Sequence, residues 1–176
     1  KLWTCENTMN HTLASLLLAF FGLTAAVQAD GLPQPTGEVI LYVHGDIEIT
    51  NGAGPAAMFD LGMLEQLGMQ TIITSTPFTD GVIAFEGPLM RDLLDAVIAN
   101  GENVTLTALD EYATTFPIDD LRNHDFILAI RDDQGLISPD QFGPIWVVGP
   151  MDDNPALGKE DMHDRWIWQL SVIEVN

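Results

Sequence analysis

TIITSTPFTDGVIAFEGPLMRDLL, residues 71–94, packs a strand, a loop of small hydroxyl residues, a second strand and a helix start into one short run. The first strand ends in Thr74, Ser75 and Thr76. Pro77-Phe78 and Gly81-Val82 mark turns, and a helix is expected to open at Pro88, where a missing N–H leaves no bond unmade. Amides and hydroxyls therefore gather at one loop behind the ring of Phe78. Loops of this kind, carried on rigid strands, are where ligands are held.

Upstream, in residues 37–51, Val39, Leu41 and Val43 alternate with Ile40, Tyr42 and His44, and Ile47 and Ile49 continue the period of two. This predicts a strand with a bulge or tight turn at Gly45. Asn51–Pro55 forms a turn, and Asp60 is placed to cap a short helix over LGMLEQL that stops at Gly68. Downstream, Leu89, Leu93, Leu94, Val97 and Ile98 fall at helical spacing, so the helix from Pro88 is expected to reach Asn100-Gly101. A strand pair follows around Asp110-Glu111-Tyr112. Pro117–Asn123 reads as a short helix or turn. DFILAIRDDQGLI reads as a hairpin turning at Asp132–Gly135. Ile145–Val148 is a short buried strand, MDDNPALGKEDMHD a loop or single helical turn, and Arg165–Val175 an alternating strand that closes the sheet. Many short strands, few short helices and no β-α-β rhythm predict a β-rich α+β domain.

The 176 residues are enough for one domain with a genuine core. Six basic residues face 26 acidic ones, a formal net charge of -20. Such a field repels nucleic acid and anionic lipid headgroups, so neither is an expected partner. The uncharged run Thr12–Leu23, followed by Val27 and Ala29 at the small-residue positions of a cleavage site, predicts a secretory signal peptide over residues 1–29. Translation could start ahead of Lys1 or at Met9. Its apolar core is too short to span a bilayer, so no direct membrane insertion is expected once it is cleaved. Residues 30–37 read as a flexible lead-in and 38–176 as the folded domain. Cleavage removes Cys5, the single cysteine, and takes Lys1 together with Glu6, so the net charge stays at -20.

The chemistry open to the mature chain is narrow. With no thiol it has no disulfide and no thiolate nucleophile. His44, His124 and His163 form no HxH or HExxH pair, and no calcium-loop spacing occurs, so no metal site is expected. Ser75 lacks the Gly-x-Ser-x-Gly elbow, and no catalytic residue is assigned. Aromatic side chains at strand ends and turns (Phe78, Tyr112, Trp146, Trp166 and Trp168) are candidates for stacking on a planar ring. Arg131 beside Asp132 and Asp133 offers donors and acceptors together, or else a solvated ion pair at a hairpin tip.

In order, TSTPFTDG, FEGPLMRDLL, ALDEYATTFPI, LAIRDDQG, GPIWVVGP and RWIWQLSVIEV resemble the molybdopterin-binding domain of the sulfite-oxidase class of oxidoreductases, over residues 38–175. The resemblance implies that family's compact mixed fold, with a pterin pocket formed by loops at strand ends. One departure stands out: where catalytic members place the cysteine that ligates molybdenum, this chain has Thr74-Ser75-Thr76-Pro77. Neutral hydroxyls are poor ligands for such a centre. Few bases are available for the phosphate of molybdopterin, so a phosphate-poor pterin is favoured. The closest likeness is to small exported, cysteine-less members: periplasmic regulators that bind a reduced, tetrahydropterin-like pterin without metal and signal to the periplasmic region of a membrane enzyme of cyclic di-GMP turnover. The resemblance implies a ligand site of Ser75, Thr76 and Phe78. It adds Asp110 and Tyr112 in an acidic-aromatic turn, Arg131 and Asp133 at the polar edge of the ring, and Arg165 or Trp166 in a basic-aromatic pair. A molybdopterin-dependent oxidoreductase subunit and a ligand-free interaction domain stand as the alternatives.

Overall fold

The computed structural model of the chain describes Lys1 and residues 31–176. Apart from Lys1, the expected signal peptide lies outside the described residues. The described fold is a strand-rich α+β domain built on a five-stranded mixed sheet. Its strands, in spatial order, are β2 (Ala57–Asp60), β1 (Val39–Gly45), β11 (Leu170–Val175), β5 (Asn103–Ala108) and β6 (Ala113–Pro117). Only the β1–β11 pair is parallel, with Tyr42 opposite Val172 and Gly45 opposite Val175. A second sheet runs β3 (Met69–Thr74), β4 (Ile83–Pro88), β8 (Arg131–Asp132), β9 (Gly135–Leu136). A third pairs β7 (Ile127–Ala129) with β10 (Trp146–Val148). Alternation sends Leu41 and Val43 of β1 and Ile173 and Val175 of β11 into the core, where Phe59, Phe85, Phe126, Trp146 and Trp166 are also buried.

Three short helices fill the space around the sheets: α1 (Leu61–Gln66), α2 (Met90–Ala96) and α3 (Asp119–Arg122). Asp60 caps α1 as its residue type predicts, one carboxylate oxygen accepting the Met63 N–H at 2.8 Å. Gly68 takes the left-handed conformation (φ +105°) that ends the turn. The second oxygen of Asp60 accepts the N–H groups of Thr36 and Gly37, each at 2.7 Å. Nearby, the Asn51 side chain donates to Pro33 O at 2.7 Å and to Met58 O at 2.8 Å. Residues 33–37 are thus bonded to the body of the domain.

Three elements differ from the periodicity of the sequence. First, α2 starts late and stops early. Pro88 ends β4, opposite Met69, and Met90 opens the helix with its N–H on Phe126 O at 2.8 Å. At the other end the Val97 carbonyl accepts N–H groups from Glu48 and Ile49 at 3.0 and 3.1 Å, and Ile98 turns to φ +50°. The loop after β1 therefore takes the bonds a longer helix would need, and Ile98 is left exposed. Second, of Phe126–Ile130 only Ile130 joins the predicted hairpin arm, its carbonyl accepting the Ile137 N–H at 3.0 Å. All five residues are buried and their strand pairs with β10, so only β8 and β9 form the predicted turn. Gly87 permits this crossing: a Cβ there would fall 1.9 Å from Leu128 O. Third, β11 begins at Leu170. Ahead of it lie two 3-10 turns, Pro155–Gly158 and Glu160–Arg165, and Gln169 at φ +52° breaks the extended run.

Asp60 is nearly fully buried, and its carboxyl is held below the ordinary value, chiefly by the backbone N–H of Gly37 and then by those of Met63 and Thr36. Because the folded value is depressed, the stabilisation is complete above the unfolded value and is lost as pH falls through the folded one. Asp60→Asn is expected to cost about 2 kcal/mol at pH 7, read by urea denaturation. The difference from wild type should shrink below about pH 4. An equal cost at pH 7 and pH 3 would show that the bonds stabilise through shape and not through charge.

Candidate functional site

The loop–strand layout gathers aromatic and acidic side chains at one end of the five-stranded sheet. Phe78 comes from the loop between β3 and β4, Asp110 and Tyr112 from the β5–β6 turn, and His163 and Asp164 from the second 3-10 turn. Trp168 comes from the segment leading into β11. They line a cavity of about 380 Å³, backed by Ala108, Trp166 and Ile167.

Local bonds fix each wall. In the β5–β6 turn Glu111 adopts φ +69°, and the Asp110 side chain accepts the Tyr112 N–H at 3.0 Å. The Leu109 N–H donates to Gln169 O at 2.9 Å, which ties this turn to the residue after Trp168. The ring of Phe78 meets Trp168 edge-to-face at 5.1 Å and His163 at 5.7 Å between centroids. His163 Nε2 lies 3.0 Å from Gly158 O; with its proton on that nitrogen the imidazole is a donor there, leaving Nδ1 as an acceptor. Tyr112 donates its hydroxyl to Asp164 at 3.3 Å. Burial, followed by the charge of Asp164 and that hydrogen bond, raises the Tyr112 phenol above its ordinary value and keeps it protonated.

Of the nine residues the sequence singled out, the cavity brings together Phe78, Asp110, Tyr112 and Trp166. Trp166 contributes as backing: it is buried, with its indole N–H on Leu157 O at 3.0 Å, while Trp168 is exposed; the segment that carries them is not extended, and both line the cavity. Ser75 and Thr76 share the loop with Phe78 but spend their hydroxyls within the fold. Ser75 bonds Asp152 through its backbone N–H at 3.0 Å and also through its hydroxyl. Thr76 bonds Thr79 at 2.9 Å and accepts the Phe78 N–H at 3.1 Å. Arg131 pairs with Glu65, and Asp133 accepts the Ala84 N–H at 3.3 Å; both sit on the β8–β9 hairpin, outside the cavity lining. Arg165 bonds Asp120 through Nε at 3.1 Å and Nη2 at 2.6 Å, with its guanidinium over the Phe116 ring. Among the other aromatics considered, Trp146 is core, stacked on Phe142 at 4.2 Å.

His163 and Asp164 are the residues that sequence reasoning passed over. The signal was present in MHDRWIW, a His-Asp pair directly ahead of two alternating tryptophans, but nothing in the sequence joined it to Tyr112. Among the described residues no cluster of three or more His, Cys, Asp or Glu side chains could hold a metal ion. A larger cleft of about 500 Å³ lies between residues 36–38 and β9. Its ionisable groups are Glu38 and Asp60, and Asp60 already accepts three backbone N–H groups.

The smaller cavity is therefore the better ligand site. Three aromatic rings offer flat apolar faces, two carboxylates offer acceptors, and no Lys or Arg lines the wall. Such a lining suits a planar ring with N–H donors along one edge and disfavours phosphate. No protein-family model matches this chain, and no curated protein matches it.

Asp152 lowers its carboxyl below the ordinary value through the Ser75 hydroxyl first and the Ser75 N–H second. In Ser75→Ala the Asp152 carboxyl is expected to move up towards that ordinary value, as measured by NMR titration. No movement would mean that the hydroxyl contact is absent in solution.

Proposed function

We propose that this domain binds a reduced, metal-free pterin in the Phe78–Tyr112–Trp168 cavity and acts as an exported sensor. The observation that carries the reading is the cavity's lining of aromatic rings with two carboxylates and no Lys or Arg. The pyrimidine edge of a pterin presents an amino group and a ring N–H, which a carboxylate accepts as a pair. Asp110 and Asp164 are the candidates for that role, and Phe78 and Trp168 for stacking on the bicyclic ring. A phosphate-bearing molybdopterin would face carboxylates instead of guanidinium groups. Molybdenum also finds no suitable donor, because the Ser75 hydroxyl in the metal-ligand loop is held by Asp152. The fold of the sulfite-oxidase pterin domain, a periplasmic location and a relay to the periplasmic region of a membrane cyclic di-GMP enzyme belong to the same proposal. They rest on the sequence resemblance.

The purified protein should gain thermal stability with tetrahydropterins, because a ligand specific for the folded state must raise Tm. Asp164→Asn and Trp168→Ala are each expected to weaken binding about tenfold, followed by quenching of tryptophan fluorescence in the first and by calorimetry in the second. Stoichiometric molybdenum in the isolated protein would favour the oxidoreductase reading. Indifference of Tm to every pterin would leave an interaction domain.

A further inference from the structure

Three of the four sheet edges in the two larger sheets are guarded. β2 has four residues, β9 has two, and β6 ends on Pro117. β3 is the exception. Its six residues, MQTIIT, contain no charge and no proline in a chain of net charge -20, and they include three residues of high strand preference in Thr71, Ile72 and Ile73. Thr71 and Ile73 lie on the exposed face, Ile73 at 67% exposure, while Ile72 opposes Phe85 on the face turned to the core. Among the described residues, Gln70–Ile73 make no backbone hydrogen bond except to β4. A cleft of about 450 Å³ runs beside the strand, with Arg91, Asp125 and Asp153 in its wall.

We infer that β3 is a docking edge to which an extended, basic segment of a partner protein adds as a fifth strand. The backbone supplies the affinity and the flanking charges select the partner. Arg91 is already paired with Asp125. Glu86, opposite Thr71 on the exposed face, and Asp153 have no ion-pair partner among the described residues. An added strand would lie two ladder spacings from β4, roughly 10 Å, within reach of a Lys or Arg side chain aimed at Glu86. An apolar residue two positions along would cover Ile73. A second copy of this chain fits worse, because its own acidic flank would meet the same carboxylates and add a charge of -20. The inference stands on the strand edge alone and does not depend on the pterin reading.

The test uses three labelled decapeptides: one alternating Lys with Val and Thr, one with Glu in place of each Lys, and one with Lys retained and a single central Pro. The Lys peptide should bind at least about tenfold tighter than either control, the Pro peptide isolating strand addition from charge alone. Binding should slow hydrogen exchange at Gln70–Ile73. Ile73→Lys should weaken it about tenfold. If that variant fails to fold, the Pro comparison on the wild-type protein still decides. Equal binding of the Lys and Pro peptides, or protection elsewhere, overturns the proposal. So does a peptide-free dimer that protects the same four amides, which would assign the edge to a second copy.

Discussion

β11 (Leu170–Val175) is hydrogen-bonded on both sides, parallel to β1 and antiparallel to β5, and everything else in the large sheet hangs on that double pairing. Without it, β2–β1 and β5–β6 are two separate hairpins. The backbone is fitted to the strand at close quarters. The Asp46 N–H donates to Val175 O at 2.8 Å, and the N–H groups of Glu102 and Asn103 converge on Asn176 O at 2.8 and 3.0 Å. Gly45 and Gly101 leave room for this: a Cβ would lie 2.0 Å from Val175 O at the first and 2.5 Å from Asn176 O at the second. Contacts between residues so far apart in sequence cost loop-closure entropy and slow the folding of such a sheet. The cavity inherits that dependence, since Trp166 and Trp168 are positioned by the segment that leads into β11.

What could be read in the sequence followed local physics. Alternation located β1, the β5–β6 pair and the part of β11 that is a strand, and residue chemistry located the end of β3 at its hydroxyl residues, the Asp60 cap and the Asp110–Tyr112 turn. What could not be read was decided by competition at a distance. α2 ends early because the loop after β1 claims the Val97 carbonyl, and Ile127–Ala129 leaves the expected hairpin to pair with β10. Aromatic residues on turns were legible as site candidates, because a large ring at a turn has few neighbours to bury it. The union of Tyr112 with Asp164 was not, since the bond joins a hairpin turn to a 3-10 turn 52 positions away.

The arginines show how composition misleads when read one residue at a time. Arg131 and Arg165 look like recognition groups in isolation. With 26 carboxylates for six bases, however, each arginine meets an acid within the fold before any ligand arrives. Arg91, Arg122, Arg131 and Arg165 are all in ion pairs. Exposed pairs of this kind contribute little to stability, yet they leave the remaining carboxylates without compensation. A cavity in such a protein acquires its negative lining from the absence of neighbours to neutralise it, as Asp110 and Asp164 illustrate.

The three N–H groups gathered by Asp60 also have a mechanical side. Tension applied to the chain ahead of residue 33 does not enter the sheet by peeling β1 from its end. It arrives first at the Asn51 and Asp60 side chains, through the Pro33, Thr36 and Gly37 bonds, and passes into the turn before β2 and the start of α1. From α1 it reaches Glu65 and hence Arg131 on the neighbouring sheet. The two clamps thus share a load between layers that would otherwise open one ladder at a time.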